Sequence, residues 1–160
     1  MMSTSIRRSR RFSASLAALG LTILAAATPV EAALGGTEAT VSADQVQMSM
    51  TLRTIPAARF TVHEMTAAAS GTMVREYVAP TGLVFGVAWQ GSSMPDLRQL
   101  LGPYYDQYVE AAAARRTRRA PVHVELPGLV VQSSGHMRAF TGRAYLPQSL
   151  PQGVAAEEVR

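Results

Sequence analysis

The segment between residues 72 and 90 constrains the fold more than any other part of this sequence. Residues 83–90 alternate with a period of two, which predicts a strand carrying Phe85, Val87 and Trp89 on one face. Residues 79–82 form a turn signal, with proline at its second position and glycine at its fourth. Because residues 72–78 also have a strand composition, we predict an antiparallel hairpin here.

A helix is predicted after this hairpin. Apolar residues recur at spacings of three and four between Leu97 and Ala112, and Ser93-x-x-Asp96 resembles a capping box. Gly102-Pro103 interrupts the pattern, since proline removes a backbone donor and clashes with the preceding turn. The apolar phase continues across this break, so we expect one kinked helix or two abutting helices.

Extended structure is predicted on both sides of these elements. Residues 60–65 and 122–126 read as strands, and residues 129–133 and 137–146 suggest a second hairpin around Ser134-Gly135. The order of strands, helix and strands predicts an α+β fold: an antiparallel sheet of two hairpins with one kinked amphipathic helix packed on it. We expect a poorly ordered lead-in at 33–59, a single domain at 60–147 and a C-terminal tail at 148–160.

The N-terminus has the pattern of a cleavable signal peptide. Arginines at positions 7, 8, 10 and 11 precede an uncharged apolar stretch at residues 12–27. The stretch is shorter than the roughly 20 residues that span a bilayer. The small-x-small tripeptide ending at Ala32 predicts cleavage before Ala33. We therefore expect residues 1–32 to be removed from an exported, periplasmic or secreted protein without a stable membrane span.

Removal of this leader changes the meaning of the charge. Four of the 15 basic residues and one of the 11 acidic residues lie within it, so the remaining 128 residues carry a net charge near +1. The basic composition of the whole chain is therefore no argument for a nucleic-acid partner. The sequence has no cysteine, which excludes disulfides, thiol catalysis and cysteine-ligated metals.

The sequence contains no recognisable catalytic motif. His63, His123 and His136 are scattered, and a histidine-x-glutamate pair at 123–125 lacks the cysteines of a zinc deaminase. The serines beside His136 are not followed by the features of a serine nucleophile elbow. No phosphate-binding or dinucleotide-binding loop occurs. We expect no catalytic residues, no cofactor and no metal.

Several segments together resemble a known family. They are residues 71–78, 82–91, 95–102 and 135–140, with the Ala-Leu-Gly-Gly start at 33–36. The combination is similar to a proteobacterial family of exported proteins of unknown function, DUF2844. The resemblance covers most of the chain after the leader and implies an exported single-domain protein. It implies no activity, substrate or catalytic residue.

We therefore expect a non-enzymatic binding or accessory protein with an envelope or small-molecule ligand. Its binding site is predicted at His136, Arg138 and Arg143, where a bulge at Gly142 would be needed to bring both arginines to one face. One alternative is a small metal-dependent or hydrolytic enzyme. Another is an envelope-surface protein that uses the cluster Arg115, Arg116, Arg118 and Arg119.

Overall fold

A seven-stranded antiparallel sheet forms the centre of the structure, a computed structural model that describes residues 34–114 and 121–160. The strands are β1 (Met50–Pro56), β2 (Thr61–Ala67), β3 (Met73–Val78), β4 (Val84–Gly91), β5 (Val122–Leu126), β6 (Leu129–His136) and β7 (Ala139–Tyr145). The helices are α1 (Glu38–Gln47), α2 (Leu97–Leu101) and α3 (Tyr105–Ala114). The described helices include none that is both long and apolar enough to cross a membrane.

The sheet consists of two meanders that meet at one seam. Its strand order is β1-β2-β3-β4-β7-β6-β5, so β1–β4 form one meander, β5–β7 form the other, and β4 pairs with β7. The α+β class is confirmed. The sheet is larger than two hairpins, because β1 and β2 extend the β3–β4 hairpin and β5 extends the β6–β7 hairpin.

Two apolar layers cover the sheet, one on each face. On the first face, Val87 and Trp89 pack with Leu100 and Leu101 of α2 and with Val41 of α1. On the opposite face, an aromatic and aliphatic cluster packs beneath the C-terminal residues; its buried members are Tyr77, Ala79, Phe85, Ala88, Val154 and Val159. Strand β4 is consequently buried on both sides, which explains why nearly all of its residues are apolar or small.

A β-bulge in β4 changes the predicted face of one residue. Tyr77 pairs with Gly86, whereas the next residue, Val78, pairs with Val84, so Phe85 is an extra residue in this strand. The predicted alternation placed Phe85 beside Val87. The bulge moves it instead to the opposite face, where it packs with Tyr77.

The interrupted helix is confirmed. The Asp96 carboxylate accepts hydrogen bonds from the backbone N–H groups of Arg98 and Gln99, so Asp96 is the N-cap of α2. A 3-10 turn at Gly102–Tyr104 then separates α2 from α3. Gly102 adopts a positive φ of 47°, which glycine tolerates without a steric penalty.

The turn of the second hairpin lies later in the chain than predicted. Strand β6 continues through Ser134 and Gly135, and the two turn residues are Met137 and Arg138, with φ values of 43° and 66°. This is the backbone geometry of a two-residue hairpin turn, which normally selects Asn or Gly. Gly135 serves packing instead: a Cβ there would lie 2.3 Å from the Phe140 ring.

Two terminal segments are more integrated than the sequence suggested. From Leu34 onward, the predicted lead-in contains α1 and β1, and Leu34 and Val41 are fully or almost fully buried in the helix-side core. The predicted tail packs Val154 and Val159 on the other face. Weak periodicity hid both segments, since they derive their order from tertiary burial. The predicted leader and its cleavage position, Ala32 and Ala33, lie outside the described residues.

The seam between the meanders depends on a glycine. A Cβ at Gly142 would lie 2.2 Å from Cζ2 of Trp89, so the indole ring occupies the space that a side chain would need. We expect Gly142→Ala to destabilise the protein by about 2–3 kcal/mol, because overpacking forces Trp89 out of its place. Urea unfolding followed by circular dichroism measures this change.

Gly128→Ala is the matched control. A Cβ at Gly128, in the turn between β5 and β6, would meet nothing within 4 Å. We expect a change in the free energy of unfolding of less than about 1 kcal/mol. Equal destabilisation by the two substitutions would contradict the packing role of Gly142.

Candidate functional site

A cleft of about 930 Å³ opens between α3 and the distal end of the β6–β7 hairpin. This volume lies within the range of about 300–1,000 Å³ that is typical of small-molecule sites. The described lining combines apolar, aromatic and hydroxyl-bearing side chains. The lining residues are Met94, Tyr108, Pro121, Val122, Ser133, Ser134, Gly135, His136, Ala139 and Phe140.

The pairing register of the strands determines which residues form the floor of this cleft. Val122 pairs with Ser133, and Ser133 pairs with Gly142, which pairs with Trp89 of the central strand. Cross-strand neighbours in such a row share one face of the sheet. The floor of the cleft is therefore continuous with the helix-side core.

The Trp89 side chain lies immediately behind the cleft floor. Its ring covers Gly142, the neighbour of the cleft residue Ser133. The indole is 2% exposed, and its buried Nε1–H has no hydrogen-bond partner among the described residues. Because the sequence contains a single tryptophan, its fluorescence reports on this part of the protein.

The Tyr108 hydroxyl is the polar group that α3 contributes to the described lining of the cleft. Burial raises the pKa of the Tyr108 phenol above 10.0, and the nearby Tyr105 adds to the increase. The rings of the two tyrosines lie 6.4 Å apart. The Tyr108 hydroxyl is therefore protonated at neutral pH and can donate a hydrogen bond.

Apolar exposure is concentrated near the mouth of this cleft. Met94, a lining residue, and Met137, the neighbour of lining residue His136, are both exposed, Met137 at 85%. Val109, the next residue after Tyr108 in α3, is also exposed. Exposed methionine is typical of surfaces that bind varied apolar ligands.

The three residues predicted to form a binding site separate in the structure. His136 lines the cleft, and Arg138 lies exposed in the hairpin turn. Arg143 instead bonds to Gln132 and to two carbonyl groups of the C-terminal segment. Strands β6 and β7 pair without a register shift at Gly142, so the bulge that would have joined the arginines does not occur.

The arginine cluster at 115, 116, 118 and 119 lies outside the described residues. It follows α3 directly and precedes Pro121, which lines the cleft. A surface role for this cluster thus remains a prediction from the sequence.

A buried polar row beneath α1 was not predicted. His63 of β2 is 6% exposed and lies opposite Glu76 of β3, whose side chain is fully buried. His63 Nδ1 lies 3.1 Å from the Thr54 hydroxyl, and Nε2 lies 3.6 Å from the Glu38 carboxylate of α1. The next residue of β2, Glu64, lies opposite Arg75 and forms an ion pair with it at 2.9 Å.

The geometry of this polar row suits a structural contact between α1 and the sheet, and it does not suit catalysis. A substrate would need direct access to His63, which lies almost completely buried. One feature of the sequence could have indicated this row, namely that His63 and Glu76 occupy inward-facing strand positions between apolar residues. Register, which fixes their pairing, depends on turn lengths rather than on local pattern.

The other histidine pair is exposed. His123 and Glu125 share one face of β5, as the spacing predicted, with 3.8 Å between Nε2 and the carboxylate. Within residues 34–114 and 121–160, no three histidine, aspartate or glutamate side chains are placed to hold a metal ion together.

Comparisons with other proteins provide a family but no related structure. No significant match to the chain was found among curated proteins or among solved structures. The model of the family described as "Protein of unknown function (DUF2844)" matches residues 30–159. This match confirms the resemblance seen in the sequence, and the chain belongs to this family.

Proposed function

We propose that this protein is a non-enzymatic binding protein whose ligand occupies the cleft between α3 and the β6–β7 hairpin. The observation that carries the proposal is the cleft itself, with its apolar lining and a few hydroxyl groups. Sites of this composition bind small molecules by burying apolar surface, while the polar groups fix orientation.

The described lining favours a largely apolar, uncharged ligand. It contains no arginine, aspartate or glutamate, and His136 is its one ionisable group besides Tyr108. An anionic or cationic ligand buried there would lose hydration without gaining a described counter-charge. Tyr108, Ser133 and Ser134 provide hydrogen bonds that suit a carbonyl, ether or hydroxyl group on the ligand.

The arrangement of polar groups supports binding rather than hydrolysis. A serine nucleophile requires a histidine base that an acid orients. Ser134 and His136 both line the cleft, but the ion pairs between described histidines and carboxylates involve His63 and His123. His136 thus lacks the orienting acid that a triad needs within the described part of the chain.

We further propose that the protein acts outside the cytoplasmic membrane. The support is the basic, apolar and small-residue pattern of residues 1–32. A binding protein in that compartment would meet ligands from the envelope or from outside the cell. The absence of cysteine leaves its stability independent of the redox state of that compartment.

Binding of N-phenyl-1-naphthylamine, an uncharged apolar fluorophore, tests the cleft. We expect the wild type to enhance its fluorescence and to transfer energy to it from Trp89, which lies behind the cleft floor. Val122→Phe should weaken binding at least about tenfold, because the larger side chain would extend over the cleft floor beside Ser133. Fluorescence titration gives both dissociation constants.

Ala58→Phe provides the control, since Ala58 is an exposed residue in the β1–β2 connection. We expect it to bind the fluorophore within about twofold of the wild type. If Val122→Phe binds as well as Ala58→Phe does, the cleft is not the binding site.

Ionisation of Tyr108 supplies a pH test. Its raised pKa means that the folded state keeps this proton above pH 10.0, where a tyrosine in the unfolded chain loses it. The stability contributed by Tyr108 is therefore present below pH 10.0 and is lost as the pH rises through the folded-state pKa. Absorbance at about 295 nm should show one tyrosine titrating late in the wild type.

Tyr108→Phe should abolish that late titration step. Tyr145→Phe is the control, because Tyr145 packs on the opposite face of the sheet. An unchanged late step in Tyr108→Phe would contradict the buried environment of Tyr108.

Export can be tested independently of binding. Expressed in a bacterium with a secretory pathway, the protein should be recovered outside the cytoplasm with Ala33 as its first residue, as N-terminal sequencing would show. Ala32→Arg should cause the precursor to accumulate, because signal cleavage needs a small residue at that position. Ala26→Val, a change within the apolar stretch, should leave processing intact. A wild-type protein that retains residues 1–32 would refute the proposal.

A further inference from the structure

The C-terminal segment, residues 150–160, covers the face of the sheet opposite the helices. Val159 is completely buried and lies above Gly86 of the central strand, where a Cβ would approach its Cγ2 atom to 2.9 Å. The absence of a side chain at Gly86 therefore creates a socket for Val159. Leu150 and Val154 join the same apolar cluster.

Side chains of the sheet and of the β1–β2 connection hold this segment mainly through its backbone oxygen atoms. Arginine donors are well suited to such contacts, since charge-assisted hydrogen bonds are stronger than neutral ones. The contacts are Arg59 to the Gly153 carbonyl (2.6 Å), Arg75 to the backbone oxygen of Arg160 (3.0 Å), Tyr77 to the same oxygen (2.5 Å), and Arg143 to the carbonyls of Ala156 (2.9 Å) and Val159 (3.3 Å).

The segment is a separable unit of the fold. It is not one of the seven strands, and its described internal backbone hydrogen bonds join residues three apart, as from Val154 to Pro151 and from Glu158 to Ala155. It can therefore keep its local turns when its contacts with the sheet are broken. Strands held by ladder hydrogen bonds on both sides lack this independence.

The fit of the segment to the sheet is also incomplete. A hollow of about 380 Å³ remains beside its last residues, lined by Glu158 and Arg160 on one side and by Phe60, Val62 and Tyr77 on the other. This hollow is open to solvent, so the last residues and the aromatic side chains are not in continuous contact. The segment is thus anchored at the Val159 socket and by the arginines, rather than by continuous packing.

Release of the segment would uncover an aromatic surface. Phe60, Tyr77 and Phe85 lie with ring centroids 5.8–6.2 Å apart beneath this region. Apolar surface of this kind is costly in water and must be covered again. The segment of a second copy has the same sequence, with the same valine and the same spacing of carbonyl groups. It can therefore make the same contacts with the vacated surface.

The three arginines that donate to the segment, Arg59, Arg75 and Arg143, form an arginine clamp. We infer that the Val159 socket and this clamp form a segment-binding surface that joins two copies of this chain by exchange of residues 150–160. The occupant is the segment of the second copy, held by the contacts seen within one chain. In dilute solution the chain's own segment has the advantage, because its effective concentration near the surface is in the millimolar range. Exchange therefore becomes measurable when the intramolecular contact is blocked.

Two complementary variants test this inference. Val159→Asp places a carboxylate in a completely buried position, so this chain releases its own segment and leaves its socket empty. Gly86→Val fills the socket from the sheet side, so this chain keeps an intact segment with no place for it. Each variant alone should remain a monomer at about 100 µM.

Mixed in equal amounts, the two variants should form a heterodimer with twice the monomer mass, as light scattering after size-exclusion chromatography would show. Arg143→Gln introduced into the Val159→Asp chain should weaken this association at least about tenfold, because it removes the donor for two carbonyl groups. Arg98→Gln, a change on the helix side, serves as the control and should have no effect.

If circular dichroism finds the Gly86→Val chain unfolded, a chain with Arg59→Gln and Arg143→Gln replaces it. These substitutions remove two of the arginine donors that hold the segment and leave the packing at Gly86 unchanged. A mixture of folded variants that stays monomeric overturns the inference. Self-association of Val159→Asp without the second chain also overturns it, because the uncovered face would then bind apolar surface without selecting the segment.

Discussion

The packing of Trp89 onto Gly142 is the contact on which the architecture depends. It lies at the seam between β4 and β7, the strand pair that joins the two meanders into one sheet. The missing side chain at residue 142 lets the indole ring lie directly against the neighbouring strand, where it extends the helix-side core toward β6. The same glycine carries the floor of the cleft, because its other cross-strand neighbour is Ser133. Fold and candidate site therefore share one structural requirement.

The sequence predicted those elements whose signals are local. The β3–β4 hairpin followed from alternation and from a turn with proline and glycine, and the helix break followed from Gly102-Pro103. The position of Phe85 could not be predicted, because a bulge is decided by pairing with the neighbouring strand. The turn at residues 137–138 was missed because its positive φ angles occur at methionine and arginine, whereas glycine lies two residues earlier.

Only part of the candidate site could be predicted from the sequence. His136 was predicted as a binding residue and does line the cleft with Phe140 of the same hairpin, but Tyr108 joins them only through the packing of α3 beside β5. Arg143 looked like a ligand-binding residue from sequence, whereas the structure uses its guanidinium to hold the C-terminal segment. An arginine that clamps the backbone cannot be distinguished from one that awaits a ligand until the long-range contact is known.

The seam also determines the order in which the chain can fold. Within each meander, neighbouring strands are joined by connections of only a few residues, so their hairpins close at little entropic cost. Across the seam, Gly86 meets Tyr145 and Gly91 meets Phe140, which closes loops of about 50–60 residues. Non-local pairings of this kind form late and slowly. Until they form, the chain carries two unpaired strand edges, one on β4 and one on β7. The β4 edge of one molecule can then pair with the β7 edge of a neighbouring molecule. Aggregation during folding is therefore a competition between these two edges meeting within one chain and meeting between chains.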